Sequence, residues 1–284
     1  ELLTNYGKID VLWFDFSYSG RVPEKGKEWM KGKGKDDWES EELIKLARSI
    51  QPEIIIDNRA ELEQDLWTPE QFQPTDWFRP PKTGELVTWE ACQTFSGSWG
   101  YHRDETSWKS PETLLLLLIR TVSLGGNLLM NVGPTARGYF DQRAEAALGI
   151  YADWMKYNSR SIYGCTMAEP AFIAPNGCLF TQSEDGSRLY VHLVEYPFGF
   201  LELPGLAGQV AYAQFLHDGS EVLFTEGGMQ HFGEAVPKGD DLLVLEKQAD
   251  HFSEGKTTRD DLLVITLPPL KPPVLIPVVE LFLK

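Results

Sequence analysis

Four acids stand where chemistry could be done: Asp15, Asp57, Glu70 and Glu90. Asp15 closes the apolar run Val11-Leu12-Trp13-Phe14, and Asp57 closes Ile54-Ile55-Ile56. Glu90 follows Leu86-Val87-Thr88-Trp89, and Glu70 lies in an irregular stretch with Trp67, Trp77 and Phe78. Paired carboxylates beside aromatic rings suit a sugar site. One carboxylate attacks or steadies the anomeric carbon while the other donates a proton to the leaving oxygen. Rings stack on the apolar faces of a pyranose, and an acid buried beside them has the raised pKa a proton donor needs. A plainer reading fits the same pattern: Trp13, Trp89 and Trp99 as core packing, the acids as loop caps. His102, His192, His217, His231 and His251 are scattered and form no metal set. His192 and His217 lie in strand-like runs and are expected to be satisfied structural residues. No HExxH, Ser–His–Asp or phosphate-loop pattern occurs, and helix termination explains Gly125-Gly126. No metal or cofactor is expected.

The elements that must position these acids alternate. The run 11–14 reads as a strand buried on both faces, as in a parallel sheet. A polar, glycine-containing loop follows over 17–36. Ser40 is placed to cap a helix with Leu43, Ile44, Leu46, Ala47 and Ile50 on one face, and Pro52 ends it. The stretch 53–59 is a second buried strand. After the irregular stretch 60–85, residues 86–90 form a third strand ending in an acid, and 97–101 a tight aromatic turn. Ser110-Pro111-Glu112 opens a helix, with Ser at the cap and Pro at the first helical position. Residues 127–133 make a fourth strand and 142–157 an amphipathic helix. Strand ends with polar groups on one side are the parallel α/β pattern, whose active sites gather at the strands' carboxyl ends. From about 168 the spacing changes to short strands and turn signals, as in an antiparallel sandwich. Residues 226–261 fit no element, though Asp240-Asp241-Leu242-Leu243-Val244 resembles Asp260-Asp261-Leu262-Leu263-Val264.

Composition narrows the partners. The 284 residues are 42% hydrophobic and 12% aromatic, a packed globular composition. A net charge of −16 argues against nucleic acid and anionic membrane surfaces, so a neutral substrate fits best. Cys92, Cys165 and Cys178 lack metal-like spacing and leave one unpaired, so reduced thiols in a cytoplasmic setting are expected. The aliphatic run 114–119 is too short to cross a bilayer, and no signal peptide is visible. Residues 1–6 read as the tail of a helix, so a fragment of a longer protein is expected.

The ordered motifs ELLTNYGKIDVLWFDFSY, IIIDNR, TPEQ, TWEACQTFSGSWGY, SLGGNLLMNVGPT and WMKYNSRSIYG span about residues 1–166. Together they resemble the family 29 α-L-fucosidases. The resemblance implies a partial (β/α)8-like barrel over 1–166, followed by an antiparallel β-sandwich over 167–284. It implies a retaining exo-α-L-fucosidase that releases L-fucose from glycoconjugates or oligosaccharides, without a metal or cofactor. By that resemblance Asp15 is the nucleophile, while Trp13, Arg59 and Trp99 bind the sugar. Glu70 is the acid/base and Glu90 its competitor and a further substrate contact. The family's earlier barrel strands, which supply sugar-binding histidines, have no match here. A half barrel exposes two strand edges and a core face. The chain is therefore expected to be poorly stable alone, to self-associate as a homo-oligomer, or to need a missing N-terminal half. The competing reading is a non-catalytic carbohydrate-binding remnant. No Trp follows Trp154, so the sandwich reads as a prop rather than a lectin.

Overall fold

Parallel pairing orders the first part of the chain. The computed structural model describes residues 1–15, 17–22, 25, 27, 31–79, 83–227 and 261–284. In order come α1 (Leu2–Asn5), β1 (Val11–Leu12), α2 (Ser40–Ile50), β2 (Ile55–Ile56), β3 (Leu66–Trp67), β4 (Thr88–Thr94), α3 (Pro111–Ser123), β5 (Asn127–Asn131) and α4 (Gln142–Asn158). β1 pairs with β2, and β3, β4 and β5 pair in that order, all parallel. An isolated parallel bridge between Asp57 and Leu66 links the two sets. Among the described residues the strands form an open array; no closed barrel is seen.

The strand expected to be buried on both faces is not. Ile54 and Ile56 pack with Ile44 and Ala47 of α2. Alternate residues of a strand point to opposite faces, so Val11 and its register partner Ile55 are 44% and 42% exposed. The same one-sided cover leaves Leu43, Leu46 and Ile50 of α2 exposed. Ser40 does not cap α2. Glu39 takes the cap position with φ 51°, and Ser40 is the buried first helical residue, its Oγ without a hydrogen-bond partner among the described residues. Ser110 does cap α3: its Oγ accepts the Thr113 N–H at 3.1 Å. β4 runs past Glu90 to Thr94, so Glu90 sits within a strand and not at its end. β3 falls in the stretch the sequence reads as irregular, and β5 is half-exposed.

The rest of the chain is antiparallel. β6 (Cys165–Thr166), β7 (Cys178–Ser183), β8 (Arg188–Leu193), β10 (Val210–Phe215) and β13 (Val278–Leu283) form one sheet in the order β10-β13-β8-β7-β6. β9 (Phe200–Pro204), β11 (Phe224–Glu226) and β12 (Leu262–Thr266) form another, ordered β11-β12-β9. Leu189, Val191 and Leu281 of the first sheet and Leu203, Leu263 and Ile265 of the second share one buried cluster, the core of a sandwich. Of the two similar stretches, 240–244 lies outside the described residues and 262–264 falls in β12.

His192 is buried and only partly satisfied. The Thr181 hydroxyl donates to the Ser161 carbonyl at 2.7 Å. His192 Nε2 must therefore donate to Thr181 Oγ1 at 2.9 Å, and Nδ1 is left without a partner among the described residues. His217 Nδ1 also lacks one. Burial pushes His192 down to about 3, so it is neutral.

Packing divides the chain differently from the 1–166 and 167–284 parts that the resemblance implies and from the change in strand spacing near 168. The two compact units are 1–109 with 124–144, and 110–123 with 145–284. Within the second, Leu115, Ile119 and Val122 of α3 and Trp154 of α4 bury themselves with Tyr190, Leu216, Ile276 and Val278. Their apolar faces are longer-range signals than strand grammar.

Candidate active site

Arg59 is the hub of the first unit's polar residues. Its Nη1 donates to Glu70 Oε2 at 2.7 Å and to Asp15 Oδ1 at 3.3 Å. Its Nε donates to Thr68 Oγ1 at 2.8 Å, and the guanidinium lies 4.4 Å from the Trp13 ring centre. Thr68 is fixed in turn, its N–H donating to Asn58 Oδ1 at 3.0 Å. Burial works against the charge on Arg59, but Glu70 and Asp15 outweigh it and hold the group above its ordinary value. Glu70 is set beside β4 by a parallel bridge to Cys92: Gln71 N–H donates to the Cys92 carbonyl at 2.9 Å, and Cys92 N–H to Pro69 at 3.0 Å.

Glu90 and Cys92 are two apart on β4 and share a face, opposite the fully buried Trp89. Glu90 Oε1 accepts the Trp13 indole N–H at 3.2 Å. Burial raises Glu90 and the Trp13 hydrogen bond offsets only part of that. A cavity of about 580 Å³ is lined by Trp13, Asp15, Arg59, Glu70, Trp99 and Met130, among others. Glu90 is not part of that lining and joins it only through the Trp13 indole N–H. A second cavity of about 430 Å³ shares Asp15, Arg59 and Glu70 and adds Asn58, Glu61 and Trp67. Asp15 and Glu70 thus stand where the two cavities meet.

Five of the expected residues, Asp15, Glu70, Arg59, Trp13 and Trp99, converge on one cavity, and Glu90 sits one residue removed. Tyr18, Met130 and Asn131 also line it and went unforeseen. Residues 129–132, on and just after a strand whose neighbour carries Glu90 and Cys92, were the signal that could have found the last two. Asp57 lies behind the site: its Oδ1 accepts the Phe14 N–H at 3.1 Å and the Arg59 N–H at 3.3 Å. Among the described residues no group of His, Cys, Asp and Glu side chains is placed to hold a metal ion.

Two carboxylates thus share one guanidinium nitrogen in a cavity walled by indoles. A family model described as alpha-L-fucosidase matches residues 1–160, and the chain belongs to that family. The α-L-fucosidase of Dictyostelium discoideum is 28% identical over 165 residues, covering 56% of this chain and 35% of that protein. The solved α-L-fucosidase isoenzyme 1 from Paenibacillus thiaminolyticus is 34% identical with a TM-score of 0.76, covering 100% of this chain and 60% of that one. A Bacteroides thetaiotaomicron α-L-fucosidase solved as a trapped covalent intermediate shares the fold at 20% identity and TM-score 0.71, over 100% of this chain and 58% of that one. The chain therefore spans about a third of the curated relative and under two thirds of the solved ones.

Proposed function

We propose that this chain hydrolyses α-L-fucosides with retention of configuration, releasing L-fucose from fucosylated oligosaccharides or glycoconjugates. Residues 1–166 act as the later part of a (β/α)8-type catalytic barrel and 167–284 as a supporting sandwich. The carrying observation is the shared nitrogen. Two oxygens at 3.3 and 2.7 Å from Arg59 Nη1 lie within about 6 Å of each other. Retaining glycosidases hold their carboxyls roughly 5–5.5 Å apart, inverting ones roughly 6.5–9.5 Å.

In the first step Asp15 forms an ester with C1 as the glycosidic bond breaks, and the departing oxygen takes a proton from Glu70. In the second, Glu70 takes a proton from water, the water oxygen bonds C1, and Asp15 leaves as the free carboxylate. Burial favours Glu90 as the proton carrier, while position favours Glu70. The role is assigned to Glu70 on position, because an acid/base must reach the leaving oxygen and Glu90 accepts from Trp13 outside the cavity lining.

The test is hydrolysis of an aryl α-L-fucoside by the purified chain beside Asp15→Ala, with the first-formed anomer read by NMR. Turnover lost in the variant, with the α-anomer formed first, supports the proposal. A β-anomer first, or equal rates, refutes it. Binding of fucose without turnover would favour a carbohydrate-binding role.

A further inference from the structure

β1 ends at Leu12, three residues before Asp15. Among the described residues, no strand ladder reaches the backbone at Asp15. A side chain anchors the residue before it. Asp57 is fully buried. Its single oxygen Oδ1 accepts the Phe14 N–H and the Arg59 N–H together. The Phe14 N–H lies in the Trp13–Phe14 peptide plane, so holding it fixes the Cα of Phe14, one residue before Asp15, and leaves only the two dihedrals of Phe14 between the anchor and Asp15. The Arg59 guanidinium is gripped separately by Thr68, through Oγ1 at 2.8 Å and the carbonyl at 3.3 Å. The arginine is thus held at both ends, and one of those grips also holds the Asp15 strand end.

We propose that Asp57 is a positioning residue, whose one carboxylate oxygen sets the Asp15 strand end and the Arg59 loop in register with each other. Its consequence for turnover rests on the proposed function; the clamp itself does not. Burying a carboxylate whose Oδ2 has no partner among the described residues is costly. Burial pushes Asp57 up to about 6, against the two backbone hydrogen bonds and Arg59, which pull it down, and with the charge of Asp15, which pushes it up. On the side of β3, Asp65 is engaged at 2.6 Å by Arg48 of α2. The clamp therefore passes from carboxylate to the weaker neutral acceptor on acidification through this range.

The experiment is an NMR titration of backbone amides in the whole chain, with Asp57→Asn and Asp57→Ala beside it. In the wild type the Phe14 and Arg59 amides move together with one midpoint near 6, and in Asp57→Asn both lose that titration. Asp57→Ala lowers kcat for the aryl fucoside by about 100-fold, the scale of a 1 Å misplacement, with KM little changed, and Asp57→Asn recovers part of it. Amides that titrate apart or not at all overturn the clamp, as does Asp57→Ala turning over as fast as wild type. If even the wild type is inactive, the fucosidase proposal fails, and the amide titration still decides the clamp.

Discussion

Arg59 meets both candidate catalytic carboxylates through one nitrogen, and its planar fork reaches Thr68 with another. Lysine keeps the charge and loses the fork. Arg59→Lys is expected to lower kcat/KM for an aryl fucoside far more than it shifts the melting temperature, measured side by side. For the acid/base, Glu70→Gln should cost about 10²–10⁴-fold on a poor leaving group and much less on a dinitrophenyl fucoside, which leaves without a proton. Glu90→Gln should slow both substrates alike, because it only loosens Trp13. The reverse pattern would move the role to Glu90. These residues could be named from sequence because each sits in a contiguous motif. Asp57 was visible as a strand-end acid, but its partners, Phe14 and Arg59, include an amide 43 residues away, and backbone amides leave no mark in side-chain spacing.

Helix ends and close approaches belong to the element scale. Ser110→Ala removes the α3 cap and is expected to cost about 1 kcal/mol in urea unfolding. Gly126, just before β5, faces the buried Trp89 indole, and a Cβ there would lie 2.4 Å from the ring. Gly126→Ala should destabilise by about 1–3 kcal/mol through overpacking, with Trp89 fluorescence reporting the displaced ring. The glycine pair reads in the sequence as a helix stop, which Gly125 at φ 75° explains; Gly126's second duty depends on Trp89, 37 positions earlier, and is silent. α3 was legible at both ends because Ser-Pro-Glu and Gly-Gly are local chemistry. Ser40 misled because Glu39 adopts a left-handed conformation that nothing in its neighbours dictates. β4 was cut short at Glu90 because Gln93 and Thr94 look polar, yet both are buried.

At the scale of the molecule, the two units should answer acid in opposite ways. In the first unit Asp57, lifted to about 6, and the raised Glu90 bind protons more readily folded than unfolded. Their contribution is full below the ordinary carboxylate range and is lost as pH rises through the folded value. In the second, His192 is depressed to about 3 from 6.5, so its contribution is full above 6.5 and is lost as pH falls towards 3. Hydrogen exchange between pH 4.5 and 6 should show protection falling with rising pH around β2 and increasing around β8, the latter flattened in His192→Gln. Parallel slopes in the two units would contradict this. The α/β-then-sandwich order was readable from the change in strand spacing. The packing boundary was not, since it depends on which core receives Leu115, Ile119 and Trp154.

The backbone passes between the two units three times, at 109/110, 123/124 and 144/145. A chain laid out this way is not a string of cassettes. Recombination that cut it at the apparent seam near 166 would hand one product α3 and α4 stripped of Tyr190, Ile276 and Val278, and the other a sandwich missing part of its own interior. Such splices should yield insoluble halves. On this layout neither product of a cut at that seam is expected to fold without the other.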